Sequence, residues 1–272
     1  MRFPSWKVIA IGAVVAASGP TAAQAPEAAL PSGDEVVARV NARDDGHQVS
    51  RMLLMELEDK RGNLRTRETR SFRKDFGDER RSLLFYESPK NVKDTAFLTF
   101  DYAEPDRDDD QWLYLPALRK TRRISGADRG GAFLGTDFSY EDIKKETRIG
   151  VEDYARKSLR REPVEGHACI VVEHVPVSAE LARELGYGRV LTWVDEAIWI
   201  VRRAEYWDEK GEPLKTVLVT DIRPVDGIWT PHRLEARNQQ TGHTTRFRFS
   251  EIDYATPVPD DRFTERALQR GL

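Results

Sequence analysis

From Val49 to Ile252 the chain repeats one local pattern: a short stretch with apolar residues at alternate positions, then a cluster of Gly, Pro, Asn or Asp that turns the chain. Such alternation gives an extended strand one apolar face, and tight turns join neighbouring strands antiparallel. Val49, Leu53, Met55 and Leu57 alternate against Ser50 and Glu56, and Asp59-Lys60-Arg61-Gly62 closes that stretch. Further strands are expected over 64–76, 82–87, 95–102, 111–124, 155–161, 168–175, 190–194, 199–207, 214–222, 229–237 and 244–252. The pattern is that of a mostly β, α+β chain with about eleven strands in a meander. The stretch 64–76 has almost no apolar residues, so it reads as an edge strand or a solvent-projecting ribbon, where charge discourages aggregation.

Helices are expected at four places. Ser32 and Glu35 form a capping box for a helix carrying Val36, Val37 and Val40 on one stripe and ending near Asp45-Gly46. Asp137 can cap 138–145, and Ser178 can cap 179–185 ahead of the Gly186-Tyr187-Gly188 stop. A last helix spans 261–269. A curved sheet must cover its inner face, and these helices supply the cover.

Arg2 and Lys7, followed by an apolar run over 8–17 and then small residues, read as an export signal cleaved between Ala22 and Ala25. The run is roughly ten residues, against the about 20 needed to span a bilayer. Residues 1–25 are therefore expected to be a signal peptide, and 26–272 one domain without a Gly, Ser or Pro linker. Cys169 stands alone, so no intramolecular disulfide can form, and no cysteine near the signal offers a site for the usual bacterial lipidation. A soluble periplasmic protein, monomeric, is expected.

A net charge of -3 with 33% charged residues argues against a nucleic-acid binder. Gly-x-Ser-x-Gly, His-Glu-x-x-His and a phosphate-binding glycine loop are all missing, so no catalytic residue is assigned and no enzyme is expected. Asp106, Asp108 and Asp110 mimic the start of a calcium loop, but Gln111 and Ala117 occupy the positions that need Gly and Glu. His167 and Cys169 share a strand face without further ligands, which favours a structural cysteine. Neither a metal nor a cofactor is expected.

One block carries the functional reading. In Gln111-Trp112-Leu113-Tyr114-Leu115-Pro116-Ala117 both faces are apolar: Trp112, Tyr114 and Pro116 on one, Leu113 and Leu115 on the other. Either face is ordinary core, or one of them lines a cavity with aromatic tips at its mouth. Arg119, Lys120, Arg122 and Arg123 follow, either a solvated face or a cationic rim for anionic headgroups or an acidic partner. Gly126, Gly130, Gly131 and Gly135 then surround Phe133 and Leu134, as in a mobile flap with exposed apolar residues.

The run Trp112-Leu113-Tyr114-Leu115-Pro116, the Arg122-Arg123-Ile124 after it and Gly135-Thr136-Asp137-Phe138-Ser139-Tyr140-Glu141-Asp142 resemble the signature of the outer-membrane lipoprotein-sorting family. Its members are larger relatives of the periplasmic lipoprotein carrier LolA and its receptor LolB. The resemblance continues at Leu191-Thr192-Trp193-Val194-Asp195 and Asp261-Arg262-Phe263; Leu134 and Thr136 stand where Met and Ser are more usual. It implies a strongly curved, incomplete antiparallel barrel whose concave face is closed by helices around a hydrophobic cavity. It also implies lipoprotein or lipid cargo moved between inner and outer membrane, with transient membrane-surface contact and an inner-membrane transporter of the resistance-nodulation type as partner. The alternative within the same fold is a periplasmic sensor or accessory module that binds lipid or lipoprotein and regulates a membrane partner. The lipid-contacting residues implied are Trp112, Leu113, Tyr114, Leu115, Pro116, Phe133, Leu134, Phe138 and Tyr140. The small carrier's lid arginine has no assigned equivalent in this longer chain.

Overall fold

The computed structural model of the protein describes residues 29–104, 107, 109–146 and 148–271. The expected signal at 1–25, and Asp106 and Asp108 of the acidic run, lie outside the described residues. Thirteen strands among the described residues form one antiparallel sheet: β1 (Gln48–Glu58), β2 (Leu64–Phe76), β3 (Glu79–Ser88), β4 (Ala96–Tyr102), β5 (Asp110–Leu115), β6 (Lys120–Arg123), β7 (Tyr154–Arg161), β8 (Cys169–Pro176), β9 (Arg189–Asp195), β10 (Val201–Trp207), β11 (Pro213–Val225), β12 (Ile228–Asn238) and β13 (Thr244–Asp253). Their spatial order is β6-β5-β4-β3-β2-β1-β13-β12-β11-β10-β9-β8-β7. The chain is thus two meanders joined where β1 pairs with β13, with Met55 opposite Phe247. The barrel is incomplete, because β6 and β7 stand at opposite edges.

Curvature follows from packing. Leu113 on β5 and Ala204 on β10 share one apolar cluster with Leu53, Met55, Leu84, Phe97, Val217 and Phe247. Eight strand steps separate β5 from β10 in the sheet order, about 38 Å if the sheet were flat. Only a sheet bent back on itself brings them into one core. Register shifts in β1 between Ser50 and Met52 and in β10 between Val201 and Arg203 mark local irregularities of the kind that bend a strand.

Three helices lie on the concave side. Helix α1 (Gly33–Ala42) is capped by Ser32 and Glu35 as expected, ends earlier than expected, and sets Val36 and Val40 against Ile170, Val172 and Val194. Helix α2 (Tyr140–Lys145) sets Tyr140 and Ile143 against the concave core, and α3 (Ala179–Leu185) buries Leu185 beside Tyr187 and Val190. The fourth, α4 (Glu265–Arg270), follows Phe263 onto the opposite face, over Phe72, Leu83, Phe85 and Leu98. It is shorter than the 261–269 helix expected, because Thr264 caps it.

Four local expectations need correction. Residues 111–124 are not one strand: Pro116 opens a 3-10 turn, Arg119 takes a left-handed conformation (φ 48°), and β6 folds back so that Arg123 pairs with Trp112 and Arg122 with Leu113. β2 is not an edge strand but lies between β1 and β3, its charges satisfied by distant partners such as Asp45, which accepts from Arg73 at 2.8 Å. Helix α2 starts later than expected, capped by Ser139 and Asp142, while the Asp137 side chain accepts instead from Thr245 (2.7 Å). The glycine segment is no exposed flap, because Phe133 is fully buried and the Gly130 N–H donates to the Glu184 carbonyl. A side chain at Gly130 would strike the Glu184 and Leu185 carbonyl oxygens.

Candidate functional site

A cavity of about 230 Å³ lies between the concave face and α2. Alternation decides which side chains reach it. From the first meander come Leu53, Leu84 and Phe97; from the second come Ala204, Tyr206, Val217, Leu234 and Phe247. Phe138 and Ile143 close it from the α2 side, with Phe138 stacked on Phe247 at a ring-centroid distance of 4.5 Å. The surface it presents is mainly apolar, as in a site for a hydrophobic ligand, while charged groups such as Arg51, Glu146 and Arg148 stand among its lining residues.

Polar contacts hold α2 in place at both ends. One Asp142 carboxylate oxygen accepts from the Ser139 N–H (2.8 Å), Lys215 Nζ (2.6 Å) and the Tyr187 hydroxyl (2.9 Å). Lys215 also donates to the Asp137 carbonyl (2.8 Å) and the Tyr187 oxygen (2.7 Å), and sits 4.7 Å from the Tyr206 ring centroid. Burial first, and then the Asp142 charge, push the hydroxyls of Tyr187 and Tyr206 well above the usual phenol range. Both remain neutral, and Tyr187 donates to Asp142. At the other end Lys145 donates to Asp101 (2.7 Å), and Lys144 bonds Asp109. Lys144 also approaches Glu141 at 2.8 Å, though without hydrogen-bond geometry.

Just past α2, Glu146 (φ 50°) faces the cavity and pairs with Arg51 at 2.6 Å. Burial alone would raise its carboxyl, but Arg51 and Arg73 hold it below the usual carboxylate range. The Arg51 guanidinium lies 4.3 Å from the Phe249 ring centroid, so the charge is also covered by an aromatic face.

The structure separates the two faces of β5. Leu113 is buried in the concave core with Phe133 and Phe138, and Leu115, Leu134 and Tyr140 pack against that core. Trp112 and Tyr114 point to the other side, into the cluster under α4, where Trp112 meets Phe100 at 5.0 Å between centroids. Pro116 belongs to the turn. Of the nine residues, Phe138 lines the cavity. The basic four sit at the β6 edge: Arg122 pairs with Asp128 at 2.9 Å and Arg123 with Asp110, while Arg119 and Lys120 are exposed without an ion pair among the described residues. Ala204, Val217, Leu234 and Phe247 were not singled out from sequence; their period-two pattern marks strands but not which face turns inward.

Cys169 is buried and its thiol is pushed up to about 11 by burial, then by Asp195. No group of three His, Cys, Asp or Glu side chains that could hold a metal occurs among the described residues. No helix among them is long and apolar enough to cross a membrane.

Comparisons place this geometry among known folds. A family model described only as that of an uncharacterized protein matches residues 78–270. A domain described as an outer membrane lipoprotein-sorting protein, from Vibrio parahaemolyticus, is 30% identical, with a TM-score of 0.79 over 88% of this chain and 98% of that one. A DUF1329 family protein from Desulfovibrio piger is 28% identical, with a TM-score of 0.79 over 87% and 97%. A LolA superfamily protein from Nitrosomonas europaea is 19% identical, with a TM-score of 0.66 over 88% and 100%, a likeness of fold. No curated protein matches. With these matches covering most of its length, the chain belongs to the outer-membrane lipoprotein-sorting family.

Proposed function

We propose that the protein is a periplasmic carrier that takes an acyl chain of a lipoprotein or other lipid into the concave cavity and moves it between inner and outer membrane. The observation that carries this reading is the apolar cavity roofed by Phe138 and Ile143. Each buried methylene contributes about 0.8 kcal/mol, so a chain of about 16 carbons brings on the order of 10 kcal/mol that an aqueous compartment cannot offset. A carrier must replace the membrane with apolar surface and still release its cargo. The cavity, at about 230 Å³, is below the roughly 300–1,000 Å³ of ordinary ligand pockets, so a long chain fits only by movement of the lining, of which the α2 side forms the roof. The free energy spent on that movement weakens binding and permits release. The partner proposed from the family resemblance is an inner-membrane transporter of the resistance-nodulation type. The test is titration of the purified protein with a fluorescent fatty acid. Saturable binding supports the carrier; a folded protein that takes up none refutes it.

A further inference from the structure

A second depression, open and polar, adjoins the apolar cavity. It has a volume of about 900 Å³ and is lined by charged groups such as Asp75, Arg80, Asp101 and Asp109. Glu141, Lys145, Arg148, Ile149, Gly150 and Asp153 line both spaces, so this segment is the boundary between an apolar chamber and a charged one.

Three of the four charged residues on the boundary are neutralised locally. Glu141 faces Lys144 at 2.8 Å, Lys145 is paired with Asp101 at 2.7 Å, and Asp153 with Arg129 at 3.3 Å. Arg148 is the exception. Its nearest carboxylate is Asp45 at 3.9 Å, and that same Oδ2 already takes Arg73 at 2.8 Å and Arg80 at 2.7 Å. A guanidinium carries five N–H donors. Among the described residues none of those of Arg148 makes a hydrogen bond, and its Nε is buried without a partner. Three guanidinium groups therefore gather around Asp45 and Asp75, and the Arg148 side chain is 35% exposed toward the cleft. Burial, then repulsion from Arg80, lowers the Arg148 pKa, as expected for a cation short of an anion.

We propose that Arg148 is the headgroup site for an anionic, singly acylated amphiphile, whose chain occupies the cavity under α2 and whose carboxylate or phosphate meets the open guanidinium fork. This assignment rests on the carrier reading and narrows its cargo. A planar fork suits both oxyanions, since either can accept two parallel N–H bonds. The small apolar volume holds one chain sooner than two.

The test compares a dansyl-labelled undecanoic acid with its methyl ester, which keeps the chain and removes the charge. The wild-type protein should bind the acid about tenfold more tightly than the ester, the size expected for hydrogen bonds to a charged group. Arg148→Gln should lose that preference, keep the ester affinity and show a thermal midpoint no lower than wild type, since it removes an unneutralised cation. Equal binding of acid and ester by wild type, or an unchanged preference in Arg148→Gln, overturns the headgroup site while leaving the carrier intact. Inorganic phosphate that displaces the acid at millimolar concentration identifies a free-anion site and also overturns it. Failure of both probes to bind removes the carrier reading and this inference together.

Discussion

Replacing Lys215 by Met removes the cation that ties α2 to β11. Lys215 is nearly inaccessible, its side chain 3% exposed, and it donates three hydrogen bonds at 2.6–2.8 Å. Its loss leaves the Asp142 carboxylate facing Tyr187 and Tyr206 without a countercharge. Breaking a buried pair from one side costs about 3–5 kcal/mol. Asp142 is 16% exposed and keeps the Ser139 and Tyr187 donors, so the lower end, about 3 kcal/mol, is expected. For a protein of this size that corresponds to a fall in Tm of about 6–12 °C. Urea unfolding followed by tryptophan fluorescence measures it. The Lys215→Met/Asp142→Asn pair should recover at least half of the loss, because the stranded charge goes with its partner. A single variant that costs less than about 1 kcal/mol, or a double variant worse than the single, refutes the view that charge pairing holds α2 over the cavity.

Three further outcomes concern other parts of the fold. Burial, and secondarily Arg156, push the His174 imidazole down to about 3. The folded protein keeps it neutral while the unfolded chain protonates near pH 6.5, so this contribution is complete above about pH 6.5 and declines as pH falls toward 3. The loss is about 2 kcal/mol by pH 5, and His174→Gln should remove that part of the acid sensitivity when urea midpoints at pH 7 and pH 5 are compared. Trp112→Ala should lower stability by about 2–4 kcal/mol, because the ring packs on Phe100 beneath α4, yet leave fatty-acid binding within about twofold; lost binding at unchanged stability would put Trp112 in the ligand path. Arg119→Glu with Lys120→Glu should weaken sedimentation with anionic vesicles, at about 1 kcal/mol for each basic residue removed; unchanged sedimentation makes both plain solvated surface.

Period-two alternation was sufficient to place nearly every strand, and the Ser32 and Ser178 caps were legible because each is local. What escaped the sequence depended on contacts far along the chain. The polar residues of β2 read as an edge because their partners are remote, as when Lys74 donates to the Val258 carbonyl at 2.9 Å. The reversal after Leu115 was hidden because Arg119, and not Gly or Asn, holds the left-handed position. Asp137 looked like the helix cap, but tertiary contacts engage it with Thr245 and His243, and Ser139 caps α2 instead. For the cavity, Phe138 was named from the family motif. Val217 and Phe247 could not be distinguished from neighbours facing outward without the bend of the sheet.

If the cavity holds an acyl chain, that chain should stay with the protein through gentle purification, and mass spectrometry of lipids extracted from natively purified protein detects it. An acylated, anionic species is expected at about one molecule per protein, removable by delipidation and regained on incubation with lipid. Protein that is folded, carries no lipid and regains none would contradict it.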